Sequence, residues 1–169
     1  MTVRIVGAVL CGAAALYTGG ALCEQWERRV RTLRGFCRLV SALEAGIGEM
    51  GLPLSQLFSA FGEEELERCG FLPDVRARYA NGGAAGLAAE AYAACGVSVC
   101  LEREESALLT SFFEILGTED REHTRGRCAY VRGMLEQLHT EAAAALPTRC
   151  RVARTLSASA GGVVLLLLL

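Results

Sequence analysis

The 169-residue chain contains no lysine; all 17 of its basic residues are arginine. A phosphate-cradling G-x-x-x-x-G-K-[ST] loop is therefore excluded, and no G-x-S-x-G nucleophile elbow is present. Histidine is scarce. His123 and His139 stand sixteen residues apart on one expected helix, too far to share a metal ion without a bend. None of the eight cysteines forms a C-x-x-C. Their closest spacing is Cys95 to Cys100, whereas structural zinc favours tighter pairing. Glu63-Glu64-Glu65 reads as a solvated helix start rather than an acid–base pair. The chain is accordingly expected not to be an enzyme, with no catalytic, cofactor-binding or metal-binding residues, no cofactor and no small-molecule substrate.

Charge is unevenly placed. Residues 24–38 carry a net +3 and residues 149–154 another +3, whereas residues 39–148 carry −9. Two basic collars thus flank an acidic body. A nucleic-acid partner would need a basic face on the body itself, so no nucleic acid is expected.

The uncharged runs lie outside the collars. Ile5–Cys23 has no charge over 19 residues, about 28 Å as a helix and enough to cross a bilayer core. Thr155–Leu169 is uncharged over 15 residues and ends in seven aliphatic ones. That is roughly 22 Å, short for a span unless the bilayer thins locally. The expected division is a transmembrane helix at 1–23, a cytoplasmic body at 24–154 and a short transmembrane segment at 155–169. Arginine collars mark cytoplasmic flanks, and both collars place the body inside. A cleavable signal ending at Ala21 is the competing reading; it would leave seven cysteines, an odd number, in an oxidising compartment. Gly7, Cys11, Ala15, Gly19 and Cys23 recur every four residues, and the tail repeats the spacing at Ser157/Gly161 and Ala158/Gly162. Small residues so spaced allow close helix packing in lipid.

The body reads as all-α. Val30, Leu33, Cys37, Val40 and Ile47 form an apolar seam on a first helix that ends at Gly46, Gly48, Gly51 and Pro53. A short helix follows with Leu54, Leu57, Phe58 and Phe61. A third begins at Glu63, with Pro73 expected to interrupt it. Asn81-Gly82-Gly83 is an expected turn, and Ala84–Cys95 an alanine-rich helix. Gly96–Cys100 is β-prone but too short for a strand. Leu101–Leu116 is expected to bury Leu101, Leu108, Phe112 and Ile115, with Gly117 closing it. Thr124, Cys128, Val131, Leu135, Leu138, Ala142 and Ala145 alternate steps of four and three, a coiled-coil-like seam, with a break or kink expected at Pro147. The cysteines read as small core residues in a reducing compartment; a redox or metal-sensing role is the other reading.

Several short motifs then fall in a familiar order. Arg4-Ile5-Val6-Gly7-Ala8 opens the chain. Gly51-Leu52-Pro53-Leu54 is similar to a G-x-P-L turn, and Ala88-Ala89-Glu90-Ala91-Tyr92 to an A-E-A-W pattern. Phe112, Leu116, Gly117 and Asp120 match F-x3-L-G-x2-D, and Arg154-Thr155-Leu156 before Gly161-Gly162 is similar to an R-S-L-G…G-G-L-L tail. The chain resembles the stage III sporulation protein AB family over nearly its whole length. It departs from the family at Phe113, where glycine is usual. The resemblance implies a membrane-anchored helical bundle similar to the cytoplasmic domain of F-type secretion platform proteins. It implies a non-enzymatic part in a secretion-like channel between mother cell and forespore. The protein is then expected in the mother-cell-derived membrane, meeting a cytoplasmic secretion-type ATPase and other membrane proteins of the channel. Leu116, Gly117 and Asp120 are candidates for an interaction or structural turn; Gly7, Cys11, Ala15, Gly19, Gly161 and Gly162 are candidates for membrane-helix packing. A membrane-bound helical adaptor or dimerisation module unrelated to secretion is the alternative.

Overall fold

The computed structural model describes residues 2–81, 86–118 and 120–168; the side chains of 1–6, 8–12, 15, 16, 49 and 164–169 lie outside the described set. The described residues are helical, with no strand among them. Helix α1 spans Thr2–Ala45 and passes into a π-helical turn at Gly46–Met50. Helices α2 (Leu54–Ala60), α3 (Glu64–Arg68), α4 (Phe71–Ala80) and α5 (Leu87–Ala94) follow, then a 3-10 turn at Val97–Val99, α6 (Arg103–Ile115) and α7 (Arg121–Leu168). Of the expected turn at Asn81-Gly82-Gly83, the two glycines lie outside the described residues, as does Ala84.

Two compact units result: Met1–Arg28 with Glu141–Leu169, and Arg29–Thr140. In the first, α1 and α7 run antiparallel with little side chain between them. The Cys23 thiol donates to the Cys150 carbonyl at 3.7 Å. A Cβ added to Gly19 would lie 2.4 Å from Ser157 Oγ, so only glycine permits this approach. Ala153 and Gly161 are buried on the same side. Tyr17, Leu22, Val152, Leu156 and Val163 point outward and stay exposed.

The second unit is built around aromatic rings. Phe36 of α1 contacts Phe71, Tyr92 and Phe113 at centroid distances of 5.5, 5.9 and 6.1 Å. Leu33, Leu39, Val40 and Leu43 are also buried, so α1 is covered on more than one face. The heptad-like seam reading captured Leu33, Val40 and Ile47 but not Phe36, Leu39 or Leu43. On α7, Thr124, Cys128, Val131 and Leu135 are buried as the spacing predicts. Arg132 donates to Glu44 at 2.8 Å and Arg125 lies against Gly48, so α7 runs antiparallel to α1 in this unit as well.

Several local expectations are corrected. The break lies at Gly70 (φ +82°), not at Pro73. Pro73 is the third residue of α4, in the first turn, where helix N–H groups have no partner to lose. Helix α7 runs through Pro147 without ending. Pro147 is exposed, so solvent can reach the carbonyl one turn earlier that loses its donor. Residues 97–99 form a 3-10 turn rather than anything extended. On α6 the buried face is Glu105, Leu109, Phe112 and Phe113, while Leu108 and Ile115 are half-buried.

Candidate functional site

The turn at residues 51–54 and the turn at 116–118, with Arg121 and Thr124 beyond it, lie more than sixty residues apart in the chain and close around one cleft. Its volume is about 300 Å³, between walls of Ile47, Leu52, Pro53 and Leu54 on one side and Gly117, Arg121 and Thr124 on the other. The first wall follows from a helix end. Gly51 takes φ +60°, and its N–H and that of Leu52 both return to the Gly46 carbonyl. Pro53 cannot continue a helix from its N side, but its carbonyl accepts from Gln56 and Leu57 and starts α2.

The second wall carries the three candidate residues in different roles. Leu116 is buried and its N–H closes α6 on Phe112. Gly117 has φ +91°, which an L side chain rarely adopts, and its added Cβ would meet Leu54 Cδ1 at 3.2 Å. Asp120 is exposed. Its carboxylate accepts from the Arg121 N–H at 2.9 Å, and its carbonyl accepts from the Thr124 N–H and hydroxyl. Arg121 reaches back across the cleft towards the Gly51 carbonyl at 3.4 Å. Of the three, Leu116 holds the core, Gly117 sets the bend, and Asp120 starts α7 beside a cation. The lining mixes apolar side chains with backbone polar groups, the Thr124 hydroxyl and the Arg121 guanidinium.

The six candidates for membrane-helix packing divide. Gly19 meets Ser157 and Gly161 is buried; Gly7 and Gly162 have nothing within 4 Å of an added Cβ, and Gly162 is exposed. The side chains of Cys11 and Ala15 lie outside the described residues.

The acidic and basic groups pair across the second unit. Glu63 meets Arg38 at 2.8 Å, Glu64 meets Arg68 at 2.6 Å and Glu65 meets Arg31 at 3.4 Å. Arg29 holds Glu102 and the buried Glu105. Part of the first collar is therefore turned inward to acids of the body. Charge counting could not show this, because the partners lie 25 to 76 residues away. Among the described residues, no group of three or more His, Cys, Asp or Glu is arranged to hold a metal ion.

The thiols differ sharply in environment. Burial, then the Glu136 charge, pushes Cys37 up to about 11; burial and Glu44 do the same to Cys128. Cys69 and Cys95, by contrast, are half-buried and donate to carbonyls of their own helices, Leu66 at 3.2 Å and Tyr92 at 3.1 Å.

A family model for stage III sporulation protein AB matches residues 4–169. The chain belongs to that family. No curated protein and no solved structure matches it. Stage III sporulation protein AB membership covers both turns of the cleft, both compact units and the two chain ends in a single match. Phe113 is fully buried and contacts Phe36, Phe71, Tyr92 and Phe112. Among the described residues, no helix is long and apolar enough to cross a membrane.

Proposed function

We propose that this stage III sporulation protein is a non-enzymatic membrane platform of a secretion-like channel between mother cell and forespore, docking a cytoplasmic secretion-type ATPase. The observation that carries the reading is the meeting of two family turns, 51–54 and 116–118, in one exposed cleft. Pro53 and Arg121 are exposed at this cleft and Leu52 and Leu54 half-buried, which offers a partner both apolar contact and a cation.

Anchoring at both ends is part of the proposal, with segments at 1–23 and 155–169 and the body in the cytoplasm beside the mother-cell-derived membrane. Its support is the uncharged Ile5–Cys23 run, the uncharged tail and the arginine collars. The outward apolar surface of Tyr17, Leu22, Val152, Leu156 and Val163 fits lipid better than water. Similarity of the body to the F-type platform domain belongs to the same proposal and rests on the family resemblance.

The test is co-purification of the full chain, held in mild detergent, with the cognate ATPase. The wild-type chain should retain the ATPase, and Arg121→Glu should lose it with unchanged helicity. Retention by both variants would refute the cleft as the docking point. Failure of the wild-type chain to bind while folded would refute the platform reading.

The second reading, a dimerisation module, is favoured by one strip of α7. Tyr130 and Met134 are exposed there, and Gly126 and Gly133 leave open space beside them. Sedimentation of the full chain in detergent discriminates: a monomer removes this reading.

A further inference from the structure

Two glycines on α7 have no role within a single chain. Gly126 and Gly133 stand inside a helix, which glycine weakens relative to alanine. Neither has a positive φ, and a Cβ added to either would meet nothing within 4 Å. They belong to an exposed stripe with a seven-residue repeat. His123, Tyr130 and Gln137 form one column, and Gly126, Gly133 and Thr140 the next. All six are exposed, Tyr130 by 63%. Glu122 and Ala129 run along one flank, Arg127 and Met134 along the other. At the N-terminal end the stripe holds a depression of about 600 Å³, bordered by Glu122, His123, Gly126, Arg127 and Tyr130. All of it lies in the unit of Arg29–Thr140.

We propose that a second copy of the chain occupies this stripe, with the two α7 helices parallel and in register. The proposal rests on the dimerisation reading and adds to it the direction and register of the pair. Tyr130 of each copy fills the groove that Gly126 and Gly133 leave in the other, as a knob fills a hole. The stripe lies away from the inward seam of Thr124, Cys128, Val131 and Leu135, so pairing leaves the packing of each copy untouched.

Charge sets the direction. In a parallel pair the two flanks of the seam meet between residues five apart in sequence. Glu122 of each copy then reaches Arg127 of the other, and Ala129 meets Met134. Within the chain, neither Glu122 nor Arg127 enters an ion pair among the described residues. In an antiparallel pair each flank faces its own counterpart, and Glu122 meets alanine or Glu136 instead of arginine. Two-fold symmetry makes the attractive contact twice in each parallel pair.

The test is sedimentation equilibrium of the full chain in density-matched mild detergent, with helicity followed alongside. The wild-type chain should dimerise. Gly133→Leu should weaken the dimer at least about tenfold; leucine favours helix over glycine, so unfolding does not account for the loss. Glu122→Arg should weaken it about tenfold, because two like-charge contacts replace two attractive ones. The double variant Glu122→Arg, Arg127→Glu should return to within about threefold of wild type. A monomeric wild-type chain would overturn the dimerisation reading and this pairing with it. A dimer that Gly133→Leu leaves intact would overturn this face alone. A dimer that Glu122→Arg leaves intact, or that the double variant does not restore, would overturn the parallel register.

Discussion

Arg29 grips Glu105 through both carboxylate oxygens, Nε lying 3.1 Å from each, and Glu105 is only 1% exposed. The same carboxylate accepts from the Glu102 N–H and completes the capping box that starts α6. One acid thus caps a helix and ties it to α1. Removing Arg29 leaves a buried carboxylate with its helix-capping bond but no cation beneath it.

Arg29→Ala should therefore cost about 3 kcal/mol, the range expected when one partner of a buried pair is deleted. Arg68→Ala removes an ion pair whose partners are both well exposed and should cost under about 1 kcal/mol. Denaturant midpoints of the two variants, measured side by side, check the contrast. Equal losses would mean that the Arg29 clasp is no more than a surface pair.

Phe113→Ala should destabilise by about 3–5 kcal/mol, because it empties a ring site at the centre of a fully buried cluster. Thermal unfolding followed by near-ultraviolet circular dichroism checks it. A loss below about 1 kcal/mol would show that the cluster closes over the gap.

The raised thiols set an alkaline limit. Cys37 and Cys128 ionise at about 11 in the folded chain, against an ordinary 9.0. Between those values the unfolded chain has released protons that the folded chain still holds. Stability is thus fully present below pH 9 and falls as pH rises towards 11. Urea midpoints at pH 8 and pH 10.5 should differ, and the difference should shrink in a Cys37→Ala, Cys128→Ala variant. A wild-type midpoint that is flat across this window contradicts the assignment.

Gly19→Ile and Gly20→Ile form a matched pair. A side chain at Gly19 collides with Ser157, whereas one at Gly20 meets nothing within 4 Å. Oxidative cross-linking of Cys23 to Cys150 should fall about tenfold with the first and stay near wild type with the second, since close approach depends on the small residue. Equal yields would show that α1 and α7 do not meet at Gly19.

Much of this was legible in the sequence, and the failures share a cause. The helical body, the seam through Cys128, Val131 and Leu135, and the stops at Gly51 and Gly117 follow from local spacing and backbone preference. The two cleft turns were recognisable as motifs, but nothing local said that residues 51–54 would face Gly117 and Arg121. Nothing local marked Glu105 for burial, because its cation stands 76 residues earlier. Phe36 and Leu39 fell outside the chosen seam because α1 is packed from several sides, and a single stripe describes only one contact. Pro73 and Pro147 misled in opposite ways: the first sits where a helix needs no donor, the second where solvent can supply the missing one.

The division into two units has a spectroscopic consequence. The sole tryptophan, Trp26, belongs to the unit of Met1–Arg28 and Glu141–Leu169, while the ring cluster of Phe36, Phe71, Tyr92 and Phe113 belongs to the other. Indole emission therefore follows the first unit, and the dichroism of the packed Tyr79 and Tyr92 rings, unlike the exposed Tyr17, follows the second, so a single denaturant titration of the unlabelled chain reads whether they melt together or in succession.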